Sequence, residues 1–317
     1  MKGNATLAFE ERSTKNFMTR QPPPVRTISR LAWRDGVLTP GERTIPEETA
    51  VSLVYDGGSH AVMMASPVDL EDFAYGFSLT EGIVASLDDV TEFERVDYEE
   101  GVELRLWLRG DRGAALAARR RMLAGPTGCG LCGIDSLTEA VRKPQPVIGD
   151  LKLSPADIEA ALASLAPAQT LNHQTRAVHA AAFWTKADGL VALREDVGRH
   201  NALDKLAGAL ARHRSADILS ASSQPAGAAE PRADETSAQP ETLAGIVVLT
   251  SRISVEMVQK SAMMGAPIVA AVSAPTALAI RTADEAGITL IGVARSDGFE
   301  IFTHPHRIVP EKLAHVA

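Results

Sequence analysis

The residues best suited to chemistry are two cysteines. Cys129 and Cys132 are the only cysteines in 317 residues, and they stand three positions apart in TGCGLCG. Such a pair admits four readings. A zinc site needs four ligands, so with no third cysteine it must recruit distant histidines such as His179 or His200. Thioredoxin-like exchange normally places the pair at a helix start, where the dipole lowers the first thiol's pKa. Gly128, Gly130 and Gly133 disfavour a long helix there. Cysteine can also serve simply as a small residue buried in a tight turn. The fourth reading is carriage of a persulfide. It needs an accessible thiolate that attacks a sulfane donor, a mobile loop, and a second thiol to release or protect the sulfur. Chemistry alone ranks it level with redox exchange, and no resident metal is expected.

A second cluster runs from Arg194 to Lys205, REDVGRHNALDK. Leu203, Leu206, Ala207 and Leu210 share one helical face, which makes Asn201 a plausible cap and turns Asp204 and Lys205 elsewhere. The plain reading is a capped helix with a solvated charged face. The functional reading notes that a strand end, Gly198, and then Arg199, His200 and Asn201 at a helix start commonly receive an anion or a polar heterocycle. His200 could act as a general acid or base. Two more helix starts, Thr250-Ser251-Arg252 and Ser273-Ala274-Pro275-Thr276, offer free N–H groups at the same sheet edge, where a nucleotide pyrophosphate commonly binds. Neither carries a glycine fingerprint. Val178-His179-Ala180-Ala181-Ala182 is similar to the first half of a zinc deaminase signature, but Ala181 stands where the general-acid Glu belongs, so deamination is not expected.

The elements that must position these residues are legible in the pattern. Residues 1–24 are polar and end in Gln21-Pro22-Pro23-Pro24, a disordered lead with a stiff spacer, and folding is expected from Val25. Residues 25–124 read as a smaller α+β domain. In it Val51 to Tyr55 and the alternating Val102, Leu104, Leu106 and Leu108 are strands, the latter with Glu103, Arg105 and Trp107 on the opposite face. Ser66-Pro67-Val68-Asp69 is expected to cap a helix buried through Leu70, Phe73, Ala74 and Phe77. Residues 125–133 form a glycine-rich loop bearing both cysteines. Residues 134–309 read as a layered α/β domain. A capped helix at Ser154-Pro155-Ala156-Asp157 buries Ile158, Ala161, Leu162 and Leu165.

The last third of the chain then alternates strand and helix. Strands are expected at Ile246 to Leu249, Ile268 to Val272 and Ile288 to Val293. The first helix is capped by Ser251 and stopped by Gly265, and the second is opened by Ser273 and Pro275. Crossovers of this length imply parallel neighbours. Residues 212–241 are rich in Ala, Ser, Pro, Gly and Glu and are expected to be a disordered surface insertion. Residues 310–317 form a tail.

Composition narrows the function. A net charge of −8 argues against binding nucleic acid through overall charge, and 4% aromatic residues argues against base-stacking platforms. The uncharged run from Ser261 to Ile280 is as long as a membrane span, but Pro267, Ser273 and Pro275 divide it into soluble-type elements, so no membrane is expected. Cysteine usage suits a reducing compartment, and MKGNATLAFEERSTKNF lacks the apolar core of a signal peptide, so the cytoplasm is expected.

Taken together, TGCGLCG, VHAAAFW, REDVGRHNALDKL and TSRISVEMVQKSAMMGAPIVAAVSAPTALAI resemble the FdhD family from about Val25 to Val309, the insertion apart. The resemblance implies a sulfurtransferase required for formate dehydrogenase activity. Such a protein takes sulfur from a cysteine desulfurase as a persulfide and passes it to the bis(molybdopterin guanine dinucleotide) molybdenum cofactor. It also implies a cytidine-deaminase-like fold for the larger domain and a homodimer. By residue, it assigns the persulfide to Cys129 with Cys132 as its partner. It places cofactor contacts at Phe299, Glu300, Ile301, Phe302, Thr303 and His304, to which the residues themselves add Arg199, His200, Ser251 and Arg252. Arg176 and Ala177 stand where the family commonly shows glycines. Two alternatives stay open: a chaperone that binds the cofactor without transferring sulfur, and a C-x-x-C thiol oxidoreductase.

Overall fold

The computed structural model describes residues 22–110, 142–222, 242–295 and 297–310. Cys129, Cys132 and their glycine-rich loop lie outside the described residues. So do residues 1–21 of the lead, residues 223–241 of the insertion, and the tail from residue 311.

The chain becomes regular at Val25. Strands β1 (Val25–Arg34) and β2 (Val37–Pro46) form a two-stranded ribbon. Asp35 and Gly36 close it with positive φ at both positions, the backbone a two-residue hairpin turn requires. Asp56 and Gly57 do the same between β3 (Thr49–Tyr55) and β4 (Gly58–Ala65). With β5 (Val90–Asp97) and β6 (Gly101–Leu108) these build a four-stranded sheet in the order β4-β3-β6-β5. The alternation in β6 is as expected, with Val102, Leu104, Leu106 and Leu108 buried.

Helix α1 (Leu70–Thr80) lays Leu70, Phe73, Ala74 and Phe77 on that sheet. It starts four residues later than its apparent cap. Asp69, with φ 53°, precedes the first turn, because Ser66 is committed elsewhere, as described below.

The second sheet has six strands in the order β12-β11-β10-β9-β7-β8. β7 (His179–Thr185) pairs antiparallel with both β8 (Gly189–Asp196) and β9 (Ile246–Leu249). β9, β10 (Ile268–Ala271) and β11 (Thr289–Arg295) are parallel, as the alternating pattern demands, and β12 (Gly298–Ile301) closes the edge antiparallel to β11.

Successive residues of β7, β9 and β10 alternate between two cores, the signature of a sheet covered on both faces. One core holds Ala181, Phe183, Val247, Leu249 and Val269 with helices α4 (Arg199–Ser222), α5 (Val255–Met263) and α6 (Ala277–Glu285). The other holds Ala182, Trp184, Ile246 and Val248 with α2 (Pro155–Ala168), which is followed by the short α3 (Thr170–Thr175). Ser154 closes the expected capping box with Asp157 at the start of α2.

Three sequence expectations need correction. Ser254, not Ser251, precedes α5, because Ile253 is drawn into a bridge with Pro275 and the chain stays extended to that point. Thr276 rather than Ser273 caps α6, its hydroxyl accepting the Ala279 N–H at 3.2 Å, since the same bridge holds Pro275 outside the helix. The third concerns the insertion. Helix α4 continues to Ser222, and Arg212 is pinned in it by Asp72 at 2.5 Å and Glu71 at 2.9 Å, so residues 212–222 are helical. Among the described residues, no helix is long and apolar enough to cross a membrane.

The sheets are joined where α1 crosses α4. A Cβ on Gly76 would lie 1.7 Å from the Asp204 carbonyl oxygen, and one on Gly208 would lie 1.9 Å from that of Asp72. Only glycine lets the two backbones approach this closely.

Candidate functional site at the carboxyl edge of the six-stranded sheet

β8 and β9 both run antiparallel to β7, so they point the same way, and their carboxyl ends share an edge with the start of β7. His179 stands opposite Asp196, and Ala181 opposite Leu249. The turn after Asp196, the segment 250–254 and the segment 272–276 all open there. Thr250 ties two of these strands, its Oγ1 accepting the Ala180 N–H at 2.8 Å.

Asp196 organises the turn and is fully buried. One carboxylate oxygen accepts the N–H of Gly198 at 2.7 Å and the amide of Asn201 at 2.9 Å. The other accepts the N–H of Ser66 at 2.9 Å and lies 2.6 Å from the Lys205 ammonium. Lys205 also donates to the Ser66 carbonyl at 2.9 Å, the Ser66 hydroxyl accepts the Val197 N–H at 3.1 Å, and Asn201 donates to the Met64 carbonyl at 2.8 Å. Ser66 and Asn201 are therefore not helix caps. Each spends its polar groups joining residues 64–66 to residues 196–205.

The solvated face expected for α4 is absent. Residues 201–210 are buried all round, Asp204 and Lys205 included. A second buried knot forms around Lys260. Its ammonium donates to both Asp204 oxygens at 2.9 and 3.1 Å, to Glu81 at 2.6 Å and to Thr80 at 3.1 Å, and Thr80 in turn donates to Asp204 at 2.6 Å. Burial works to lower the Lys260 pKa, and the Asp204 and Glu81 carboxylates more than reverse it, so the ammonium stays charged. A third knot is Asp72 of α1, held by Arg194 of β8 at 2.7 Å and by Arg212 of α4. Glu195, also buried, turns its carboxylate onto the Leu171 and Asn172 N–H groups at 2.8 Å each and caps α3.

Above these knots lie groups that are buried yet unpaired. Among the described residues, Arg199 Nε, His200 Nε2 and Glu256 Oε2 have no hydrogen-bond partner, a condition that calls for a further chain segment, a water or a ligand. Burial first, and then the Arg199 and Lys260 charges, push the His200 pKa down to about 4, so the ring is neutral near pH 7. His179 is lowered for a similar reason, by burial and then Arg199, against the pull of Asp196. Glu256 is driven the opposite way by burial, but the Ser254 side chain, its own backbone N–H and the Arg199 charge leave its carboxyl below the usual range. The edge thus offers a guanidinium and a neutral imidazole beside a carboxylate. A group that both accepts and donates hydrogen bonds suits this set better than a bare anion, which Glu256 opposes. Ser251 is buried and donates to the Arg252 carbonyl at 3.0 Å, and Arg252 itself is exposed.

The structure divides the expected cofactor residues. Arg199, His200, Ser251 and Arg252 share the carboxyl edge, but Phe299–His304 do not join them. β12 lies five strand positions from β8, about 24 Å, and it descends from the edge. The Phe302 N–H donates to the Leu290 carbonyl at 2.8 Å, Thr303 Oγ1 bonds both Leu290 and Ile288, and Thr289 donates to the His304 carbonyl at 2.9 Å. Thr303 and His304 therefore stand at the amino end of β11. Phe299 packs toward the α2 side of the sheet. Glu300 and Ile301 are exposed on the edge strand.

Cys129 and Cys132 lie outside the described residues, but the chain that bears them rejoins the fold against the middle of α5. The Gln259 amide of α5 donates to the Arg142 carbonyl at 2.9 Å, and the Arg142 charge acts on Glu81.

Sequence reasoning missed the buried lysines. The available signal was the small residues Ala202, Ala207, Gly208 and Ala209 between the leucines of α4, which leave no bulky polar face.

The FdhD/NarQ family model matches residues 46–309. The chain is 51% identical over 286 residues to the sulfur carrier protein FdhD of Agrobacterium fabrum, covering 90% of this chain and 96% of that one. It is 46% identical over 292 residues to the protein of the same name from Cupriavidus necator, covering 92% of each. A crystal structure from Desulfotalea psychrophila, described as a formate dehydrogenase accessory protein, superimposes with a TM-score of 0.66 at 22% identity. That match spans 90% of this chain and 100% of the other, and at this identity it speaks to the fold alone.

Proposed function

Because the chain belongs to the FdhD/NarQ family, we propose that it is a cytoplasmic sulfurtransferase serving formate dehydrogenase, with Cys129 as the carrier of sulfane sulfur. The observation that carries this reading is its kinship, across nine-tenths of its length, with proteins named as sulfur carriers. The donor is a cysteine desulfurase, and the acceptor is the bis(molybdopterin guanine dinucleotide) molybdenum cofactor, which is cargo. The larger unit is read as cytidine-deaminase-like without deaminase chemistry. Ala181, fully buried in β7, occupies the position where that chemistry requires a carboxylate.

The transfer balances without an external oxidant. The Cys129 thiolate attacks the outer sulfur of the donor persulfide, a new S–S bond forms at Cys129, and the donor leaves as a thiolate. Attack of the Cys132 thiolate on the inner sulfur of that persulfide then expels hydrosulfide and leaves a Cys129–Cys132 disulfide, which a cellular thiol reopens. The expelled sulfur becomes the terminal sulfido ligand of the acceptor. Arg199, His200, Ser251 and Arg252 are proposed to receive a polar arm of the cargo at the carboxyl edge.

Mass spectrometry after incubation with desulfurase and cysteine tests the assignment. The Cys129 peptide should gain the mass of one sulfur atom, and Cys129→Ala should abolish the gain and leave formate dehydrogenase inactive. A Cys129→Ala variant that still activates the enzyme would overturn the reading. If replacing both cysteines leaves activity intact, the protein is a cofactor chaperone instead.

A further inference from the structure

At the starts of α4 and α5, Arg199 Nε, His200 Nε2 and Glu256 Oε2 are buried and unpaired among the described residues. Their chemistry is unequal. The guanidinium N–H can only donate, the carboxylate oxygen can only accept, and the neutral imidazole nitrogen does either according to its tautomer. The charges beneath them are already matched, Lys205 by Asp196 and Lys260 by Asp204 and Glu81. One guanidinium and one carboxylate are left over, a pair with no net charge. A phosphate placed there would meet Glu256, and a cation would meet Arg199. An uncharged ring edge with a carbonyl next to an N–H suits both, the carbonyl accepting from Arg199 and the N–H donating to Glu256.

We propose that Glu256 is the specificity-determining residue of this edge: it selects a lactam, the –NH–C=O– edge of a ring, and turns bare anions away. The inference rests on the reading that the edge receives the cargo, and it adds the cargo's orientation. The guanine base and the pterin ring both carry a lactam, so a ring enters first. The phosphates stay outside, toward Arg252, which is exposed. Helix dipoles alone predict the reverse, with pyrophosphate innermost at the N-termini. Glu256 sits in the first turn of α5, where its charge occupies the place that a phosphate would take.

Isothermal titration calorimetry on the full chain is the test, with guanosine, guanosine diphosphate, neopterin, adenosine diphosphate and pyrophosphate as probes. Guanosine or neopterin should bind, and the tighter of the two names the ring that enters. Adenosine diphosphate, which has no carbonyl, should bind at least about 10-fold more weakly than guanosine diphosphate. Glu256→Gln should weaken the lactam probes about 10- to 100-fold, the worth of a hydrogen bond to a charged group, and should tighten pyrophosphate. A merely structural loss would weaken every probe together. Arg252→Gln should weaken guanosine diphosphate and leave guanosine unchanged. Should Glu256→Gln fail to fold, the wild-type probes decide. Lactam probes that do not bind at about 1 mM, pyrophosphate binding as tightly as guanosine diphosphate, or a Glu256→Gln variant with unchanged preferences would each overturn the inference. The sulfur reading fails separately: lactam selection without a sulfane mass on Cys129 would sink the carrier alone, and the sulfane mass without lactam selection would sink this inference alone.

Discussion

Replacing Lys260 by Met should damage the joint between the two sheets more than its single charge suggests. The ammonium has 8% of its side chain exposed and serves both Asp204 oxygens, Glu81 and Thr80. Without it, Asp204, fully buried, keeps only the Thr80 hydroxyl at 2.6 Å. Removing one partner of a buried pair costs about 3–5 kcal/mol, because the other charge stays buried and uncompensated. The Glu81 contact adds less than about 1 kcal/mol, since Glu81 is 40% exposed. The expected loss in urea unfolding is therefore about 3–5 kcal/mol, or roughly 10 °C in melting temperature for a domain of this size. Lys260→Met combined with Asp204→Leu removes the stranded charge and should recover most of that loss, to within about 1–2 kcal/mol of the wild type. A second readout is local. The Lys260 charge helps hold the His200 pKa at about 4, so Lys260→Met should raise the value followed by NMR titration. A single variant costing under about 1 kcal/mol, or a double variant as damaging as the sum of its parts, would refute the reasoning.

Two further outcomes follow from the same seam and its edge. The His200 pKa lies near 4 in the folded chain against an ordinary 6.5, so the unfolded chain binds more protons between these values. The stabilisation from neutral His200 is complete above pH 6.5 and lost as pH falls toward 4, about 3 kcal/mol in all. His200→Gln should flatten the acid limb of urea stability against pH by that amount, and an unchanged limb would contradict it. Gly208→Ala places a methyl group 1.9 Å from the Asp72 carbonyl oxygen. It should cost at least about 3 kcal/mol or abolish soluble expression, and a wild-type melt would show that the crossing can widen.

Much of the architecture is local and was therefore readable. The alternation of β6, the capping box at Ser154 and the β9-α5-β10-α6-β11 order follow from period and caps, which depend on neighbours in sequence. The failures share one cause. Ser66, Asn201 and Ser251 have the chemistry of helix caps, but Ser66 and Asn201 instead contact each other's neighbourhoods across 130 or more positions in the chain, and Ser251 turns back on Arg252. Cap chemistry says that a hydroxyl or amide seeks an N–H or carbonyl nearby; it does not say that the nearer partner wins. Asp204 and Lys205 were misread on the same ground, since charge predicts solvent until a second chain segment supplies the counter-charge. Of the candidate site, Arg199, His200, Ser251 and Arg252 were placed together by strand order alone. Thr303 and His304 were not, because β12 runs antiparallel and carries them to the opposite end of β11.

The three buried knots cross one seam. Asp196 with Lys205 binds residues 64–66 to α4, Asp204 with Lys260 binds the end of α1 to α4 and α5, and Asp72 binds α1 to β8 and α4. Apolar residues of similar volume would commonly stabilise such a seam as well or better. What ion pairs add is direction, because each fixes an angle and a register that apolar packing leaves free to slide. Here the register they fix is that of the first turns of α4 and α5, where His200, Arg199 and Glu256 hold their unpaired atoms, and of Gln259, which receives the returning chain at Arg142. A seam closed by three ionic knots, and by two glycines at which an added Cβ would fall under 2 Å from the facing backbone, has no slack for a hinge. If Cys129 carries the sulfur as proposed, transfer works against a fixed receiving edge, and variants that loosen the seam should impair transfer even where the persulfide still forms. Lys205→Met, assayed for the sulfane mass on Cys129 and separately for formate dehydrogenase activation, should keep the first and lose most of the second. Equal loss of both would place the seam upstream of sulfur loading.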